Sequence, residues 1–176
     1  MSWKFGGIYI RKDFSRDWDL LRQKLEMKEV RTEDRISWSK SIGYAFEGTA
    51  IGVFNGCSMV HNHSLAYDAS YDAGEVYELD EICQRISEEG DVLCFFVDGM
   101  TSTGAFSWYH AGHRVRIYNN LSGKLATNFG PLLPGEKGQA TENEDPEERI
   151  LDLIGFMVGV GFQELLRINP EMIVYK

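Results

Sequence analysis

The stretch from residue 35 to residue 62, RISWSKSIGYAFEGTAIGVFNGCSMVHN, restricts the fold more than any other part of the chain. It consists of short apolar runs separated by glycines, and the pair Asn55-Gly56 lies between two of those runs. An Asn-Gly pair flanked by apolar runs is the strongest short signal for a β-hairpin, because both residues readily take the positive φ angles of a type I′ turn. This stretch therefore predicts antiparallel strands.

Further strands are predicted on both sides of this stretch. The segment WKFGGIYI (3–10) is rich in aromatic and β-branched residues, which favour strands. The nearly continuous apolar run DVLCFFV (91–97) is typical of a central strand that is covered on both faces. The segment EMIVYK (171–176) predicts a short last strand.

Three segments have the spacing of amphipathic helices. The first is SRDWDLLRQKLEMKE (15–29), with Ser15 as the expected N-cap. The second, YELDEICQRISEEG (77–90), places four residues on one apolar stripe: Leu79, Ile82, Cys83 and Ile86. The third begins at Asp145-Pro146, a strong helix start, and should bury Ile150, Ile154 and Met157.

Together these elements predict an α+β fold, with an antiparallel sheet of about six to eight strands and three main helices packed on one of its faces. The chain shows no internal repeat and no linker, so residues 1–176 are expected to form a single globular domain. The polar segment near 131–145 holds two of the four prolines and is expected to be a surface loop.

The charge of the chain restricts its partners. There are 27 acidic and 18 basic side chains, which gives a net charge of −9. Such a chain repels phosphate backbones and anionic lipid surfaces, so we expect no nucleic acid and no membrane partner, and a cationic protein partner is favoured. The three cysteines form neither a disulfide framework nor a CxxC pair, and the start of the chain lacks the pattern of a signal peptide, so a cytoplasmic protein is expected.

The four histidines suggest one metal hypothesis. If residues 59–63 form a strand, His61 and His63 point to the same face and could ligate a divalent transition metal. The third ligand would come from Asp68, His110 or His113. The alternative is that the histidines are polar residues at the end of a strand, and no cofactor is then required.

The order Gly56, His61, His63, Asp68, Gly74 resembles the first motif of the cupin family, in which a glycine precedes HxH and an acidic residue follows. This resemblance implies a metal-binding histidine pair. The chain departs from the family by using aspartate where cupins favour glutamate, and no second cupin motif follows. The helices between the strands also argue against a cupin barrel.

The segment AFSWYHAGHRVRIYNN (105–120) predicts a hairpin about Ala111-Gly112. In its second strand Val115 and Ile117 are expected to face the core, while Arg114 and Arg116 face water. Aromatic and arginine side chains dominate the energetics of protein interfaces. The hairpin therefore offers a candidate partner-binding set: Trp108, Tyr109, Arg114 and Arg116.

The leading hypothesis is a non-enzymatic protein that binds a protein partner, and a homo-oligomer is an open alternative. Its size, acidity and α+β layout are similar to those of small acidic bacterial proteins, some of which act as immunity proteins that neutralise a toxin. The alternative hypothesis is a small metal-dependent enzyme or metal-binding protein that uses His61 and His63.

Overall fold

The computed structural model describes residues 3–62, 64, 78–142 and 144–176. Within these residues, nine strands form one antiparallel sheet in the order β2-β9-β3-β4-β1-β5-β6-β7-β8. The strands are β1 (Lys4–Ile10), β2 (Arg31–Ser37), β3 (Thr49–Phe54), β4 (Cys57–His61), β5 (Val92–Asp98), β6 (Thr103–His110), β7 (His113–Leu121), β8 (Lys124–Phe129) and β9 (Glu171–Tyr175). The helices are α1 (Trp18–Lys24), α2 (Trp38–Ser41), α3 (Glu78–Ser87), α4 (Pro146–Val158) and α5 (Phe162–Ile168).

The α+β class and the antiparallel sheet are confirmed, and so are the two predicted hairpins. Asn55 and Gly56 join β3 to β4 with φ angles of 49° and 75°, and Ala111 and Gly112 join β6 to β7 with φ angles of 49° and 80°. Positive φ at both central residues is the geometry of a type I′ turn, whose twist matches that of the flanking strands.

The number of strands is larger than the predicted six to eight, because the sequence pattern missed β8 and located only the end of β2. Both strands lie at the edges of the sheet, where most side chains are exposed. An edge strand therefore lacks the apolar run or the clean alternation by which strands are recognised in a sequence.

The expectation that the helices pack on one face of the sheet is wrong. Along β1, Phe5 and Tyr9 face a core that contains residues of α2, α4 and α5, while Ile8 and Ile10 face a second core that contains residues of α1 and α3. All seven residues of the central strand β5 are buried. A strand that is apolar on both faces has to be covered on both faces, and the helices are divided accordingly.

The helix ends follow from local capping. Asp145 caps α4 by accepting a hydrogen bond from the backbone of Glu147, and the helix ends at Gly159 with φ 76°. The first helix is shorter than predicted, and its cap is Asp17 rather than Ser15. Helices α2 and α5 were not predicted, and α2 lies inside the stretch 35–62 that was expected to form strands. The segment between β8 and α4 contains neither helix nor strand among its described residues.

None of the described helices combines the length and the apolar character that crossing a membrane would require.

Candidate functional site

His61 lies in the core between the sheet and α2, with 1% of its surface exposed. Trp38 Nε1 donates to Tyr9 Oη at 3.0 Å, and Tyr9 Oη lies 2.9 Å from His61 Nε2. On the other side of the ring, His61 Nδ1 lies 2.6 Å from Ser41 Oγ, which donates to the carbonyl oxygen of Trp38 at 2.7 Å. These four residues form a closed circuit of hydrogen bonds that begins and ends at Trp38.

The circuit assigns the protons of its members. Tyr9 accepts from Trp38, so the Tyr9 hydroxyl proton is available for Nε2 of His61. Burial raises the pKa of Tyr9 well above its ordinary value, which keeps that proton in place. The Ser41 hydroxyl proton is directed to the Trp38 carbonyl oxygen, so the Ser41 oxygen acts as the acceptor towards His61. Nδ1 of His61 therefore carries a proton and donates it to Ser41 Oγ. Both ring nitrogens are thus engaged, and a metal could bind His61 only by breaking the circuit.

The other residues of the metal hypothesis do not join His61. His110 and His113 face each other at the exposed end of the β6–β7 hairpin, where His110 Nδ1 lies 2.6 Å from Asp91 Oδ1. Strand β6 is separated from the strand of His61 by β1 and β5. His63 and Asp68 lie outside the described residues. Among the residues that are described, no group of three or more His, Cys, Asp or Glu side chains could hold a metal ion.

The cysteines are free and buried, so they offer no exposed nucleophile in the described structure. Burial raises the pKa of the Cys57 thiol to about 12. The thiolate is the reactive form of cysteine, so this environment favours the inert thiol.

Of the four candidate partner-binding residues, Arg114 is partly exposed and the other three are buried. Trp108 and Tyr109 are buried on opposite faces of β6, at 4% and 0% exposure. Tyr109 Oη donates to Asp80 Oδ1 at 2.9 Å, and Arg114 Nη1 lies 3.1 Å from the same oxygen. These side chains contact the chain's own residues.

Arg116 does not face water as predicted, because β7 carries a bulge. Trp108 is opposite Arg116, and the next residue, Tyr109, is opposite Arg114, so Val115 is an extra residue in β7. A one-residue bulge moves the following side chains to the other face of the sheet. Arg114 therefore reaches α3 on one side, while Arg116 enters the core on the α4 side with 1% exposure.

Arg116 is part of a buried ionic chain beneath the end of β8. Its Nε and Nη2 donate to the two carboxylate oxygens of Glu136 at 2.9 and 2.8 Å, and Nη1 donates to the carbonyl oxygen of Phe129 at 3.0 Å. Arg149, from α4, donates to Glu136 at 2.6 Å and binds Glu144 through two nitrogens at 2.6 and 2.8 Å. These ion pairs connect the last residue of β8 to the first turns of α4.

The β8 edge is nearly uncharged. Its sequence KLATNF holds one charge, and Phe129 is 68% exposed. Ala126 has no opposite residue, because Thr127 pairs with Asn119 and Leu125 pairs with Asn120. This bulge places Lys124 and Phe129 on the same face of the sheet, although an odd number of positions separates them.

The opposite edge, β2, is highly charged and borders a groove. Its sequence RTEDRIS holds four charges, and its pairing with β9 is interrupted between Arg31 and Arg35. Beside it lies a groove of about 720 Å³ with the apolar residues Ile36, Phe46 and Val174 in its walls. Three carboxylates also line the groove: Glu29, Asp34 and Glu47.

Neither edge was identified as a candidate site from the sequence. For the groove, a signal was present in the segment 44–48, YAFEG, which combines aromatic residues with a carboxylate before a glycine. For β8, the signal was Ser122-Gly123, a two-residue turn with positive φ at both positions. Comparison with known proteins adds no assignment, since no protein-family model, no curated protein and no solved structure matches the chain.

Proposed function

We propose that this chain is a non-enzymatic protein-binding domain that takes a basic segment of a partner protein into the groove beside β2. The observation that carries the proposal is the composition of that groove, in which apolar side chains and three carboxylates come together. A largely apolar concavity with a few placed polar groups is the usual form of a binding site.

The charges of the groove favour a cationic ligand. Besides the three carboxylates it contains two cations, Arg35 and Lys176. Arg35 forms an ion pair with Glu171, and Lys176 is only loosely paired with Asp34 at 3.9 Å. A lysine or arginine of a partner could therefore approach Asp34 and Glu47, while a neighbouring apolar residue contacts Ile36 and Phe46. The net charge of −9 attracts such a partner at long range.

An immunity-type role is the form of this function that we favour, with a toxin as the basic partner. The size, acidity and α+β layout are similar to those of small acidic bacterial proteins, some of which are immunity proteins. The three free buried cysteines support a cytoplasmic location.

The test uses the full chain, immobilised and panned against a random peptide library. We expect the selected peptides to combine lysine or arginine with an apolar residue. The variant Asp34→Asn/Glu47→Gln should bind them at least tenfold more weakly. The control variant Glu33→Gln/Glu164→Gln has the same net charge, does not alter the groove and should bind within twofold of the unmodified chain. Selected peptides without basic residues, or equal binding by both variants, would contradict the proposal.

An immunity-type role predicts one further result. A partner protein that is toxic when expressed alone should be tolerated when it is co-expressed with the chain, and not when it is co-expressed with Asp34→Asn/Glu47→Gln. Protection by the groove variant would reject that form of the function.

A further inference from the structure

We propose that two copies of the chain associate through their β8 strands, which pair antiparallel and join the two sheets into one. The surface is distinct from the groove of the proposed function, since β2 and β8 are at opposite ends of the sheet. The proposal therefore stands or falls independently of the partner-binding site.

The first argument is the bulge at Ala126. In a two-fold pair of regular antiparallel strands, opposite side chains must point to the same face, so they are separated by an even number of positions. The extra residue in β8 reverses this rule for residues on either side of it. Lys124 of one copy can then face Phe129 of the other, and Leu125 can face Asn128, with all four side chains on their proper faces.

The bulge also explains why the occupant is a second copy rather than an unrelated strand. Bulges on edge strands hinder the addition of a regular strand, because the hydrogen-bond ladder loses its register at the extra residue. A second β8 brings a matching bulge at the same place. Both copies depart from regular pairing near the two-fold axis and regain it on either side.

The second argument is the charge pattern of the pair. Lys124 is the one charged residue in β8, and in this register it faces the exposed ring of Phe129, which attracts a cation. Lys124 and Phe129 are opposite Leu121 and Ile117, which are four positions apart in β7. The two Lys124 side chains therefore lie about 14 Å apart along the strand direction, beyond the Debye length of about 8 Å at physiological salt. No like charges oppose each other.

Strand β2 has a register of self-pairing that is repulsive. A two-fold pair centred on Glu33 places this residue opposite its own copy, and it places Arg31 opposite Arg35. Like charges directly opposite on paired strands are destabilising. In the register described above β8 opposes no like charges, whereas β2 does so in the register centred on Glu33.

The size of the contact sets the expected affinity. A strand pair of six residues is about 20 Å long. It therefore buries less surface than a standard protein interface, which buries about 1,200 Å² or more, so the dimer should be weak. Sedimentation equilibrium of the full chain between 5 µM and 1 mM tests this, and we expect a reversible monomer–dimer equilibrium.

Three variants test the register. Phe129→Lys places a lysine opposite Lys124 of the other copy and should weaken the dimer at least tenfold. Val30→Lys is the matched control, since Val30 and Phe129 are equally exposed at 68%, and it should leave the dimer within twofold of the unmodified chain. Lys124→Glu/Phe129→Lys restores an attractive pair at both ends and should recover the dimer.

Circular dichroism of each variant verifies that it is folded. A chain that stays monomeric at 1 mM would overturn the proposal. So would a dimer that Phe129→Lys leaves intact, or a folded double variant that remains monomeric.

Discussion

The edge strands β2 and β8 differ in where their charges lie. Strand β2 carries four charges in seven residues, and these four side chains are exposed. Strand β8 carries one charge in six residues, while the charges beside it are buried beneath its end, in Arg116, Glu136 and Arg149. The same kinds of side chain are thus used at the surface of one edge and in the interior next to the other.

This difference separates two roles of charge at a sheet edge. Exposed charges on an edge strand oppose the addition of further strands, but they contribute little to stability because water and salt screen them. Buried charges do not affect what may approach the edge, but each depends on its partner for its stability in the interior. We therefore expect substitutions of the β2 charges that line the groove to change association, and substitutions beneath β8 to change the free energy of unfolding.

The largest expected effect on stability comes from Arg116→Met. The substitution leaves the Glu136 carboxylate, whose side chain has no exposed surface, with Arg149 as its remaining ion-pair partner. It also removes the donor to the carbonyl oxygen of Phe129 at the end of β8. Breaking a buried ion pair by removing one partner costs about 3 to 5 kcal/mol. Urea unfolding at pH 7 measures the loss, and a loss below about 1 kcal/mol would show that the buried chain does not support this edge.

The position of Arg116 also shows where prediction from the sequence ends. The hairpin about Ala111-Gly112 was predicted because a turn is a local feature, readable from adjacent residues. The burial of Arg116 was not predicted, because it depends on one extra residue in β7 and on Glu136, which lies in a loop twenty positions away.

The same holds for the candidate sites. The spacing of His61 and His63 predicted a pair on one strand, but the partners of His61 are Tyr9 and Ser41, which lie 52 and 20 positions away. Partners at such separations leave no period in the sequence. Most strands and helices with a regular apolar repeat were found, whereas the short helix α5, the edge strands and the polar contacts between distant segments were not.

The pH dependence of stability gives the second prediction, with a smaller effect because protonation of Glu136 leaves every side chain in place, whereas Arg116→Met removes one. Burial opposes ionisation of Glu136, but the hydrogen bonds from Arg116 and from the backbone of Leu133, together with the charges of Arg116 and Arg149, lower its pKa below the ordinary value. Between the two values the unfolded chain binds more protons than the folded one, so the stabilisation is lost as the pH falls below about 4.5.

Urea unfolding between pH 7 and pH 3.5 measures this dependence. Other carboxylates with a lowered pKa, such as Glu144, also titrate in this range, so the comparison requires a variant. The stability of the unmodified chain should fall more steeply below pH 4.5 than that of Glu136→Gln, which cannot titrate at this position. Parallel curves for the two proteins would be incompatible with a Glu136 carboxylate that the arginines hold ionised.

The smallest expected effect is that of Arg35→Met on β2, the counterpart of Arg116→Met. Arg35 is paired with Glu171, and both side chains are more than half exposed, at 57% and 60%. Exposed ion pairs contribute about 0 to 1 kcal/mol, because solvent screens the charges and two long side chains must be held in place. The free energy of unfolding in urea at pH 7 should therefore change by less than about 0.5 kcal/mol. A loss comparable to that of Arg116→Met would mean that exposed charges support β2 as strongly as buried ones support β8, and the distinction between the two edges would fail.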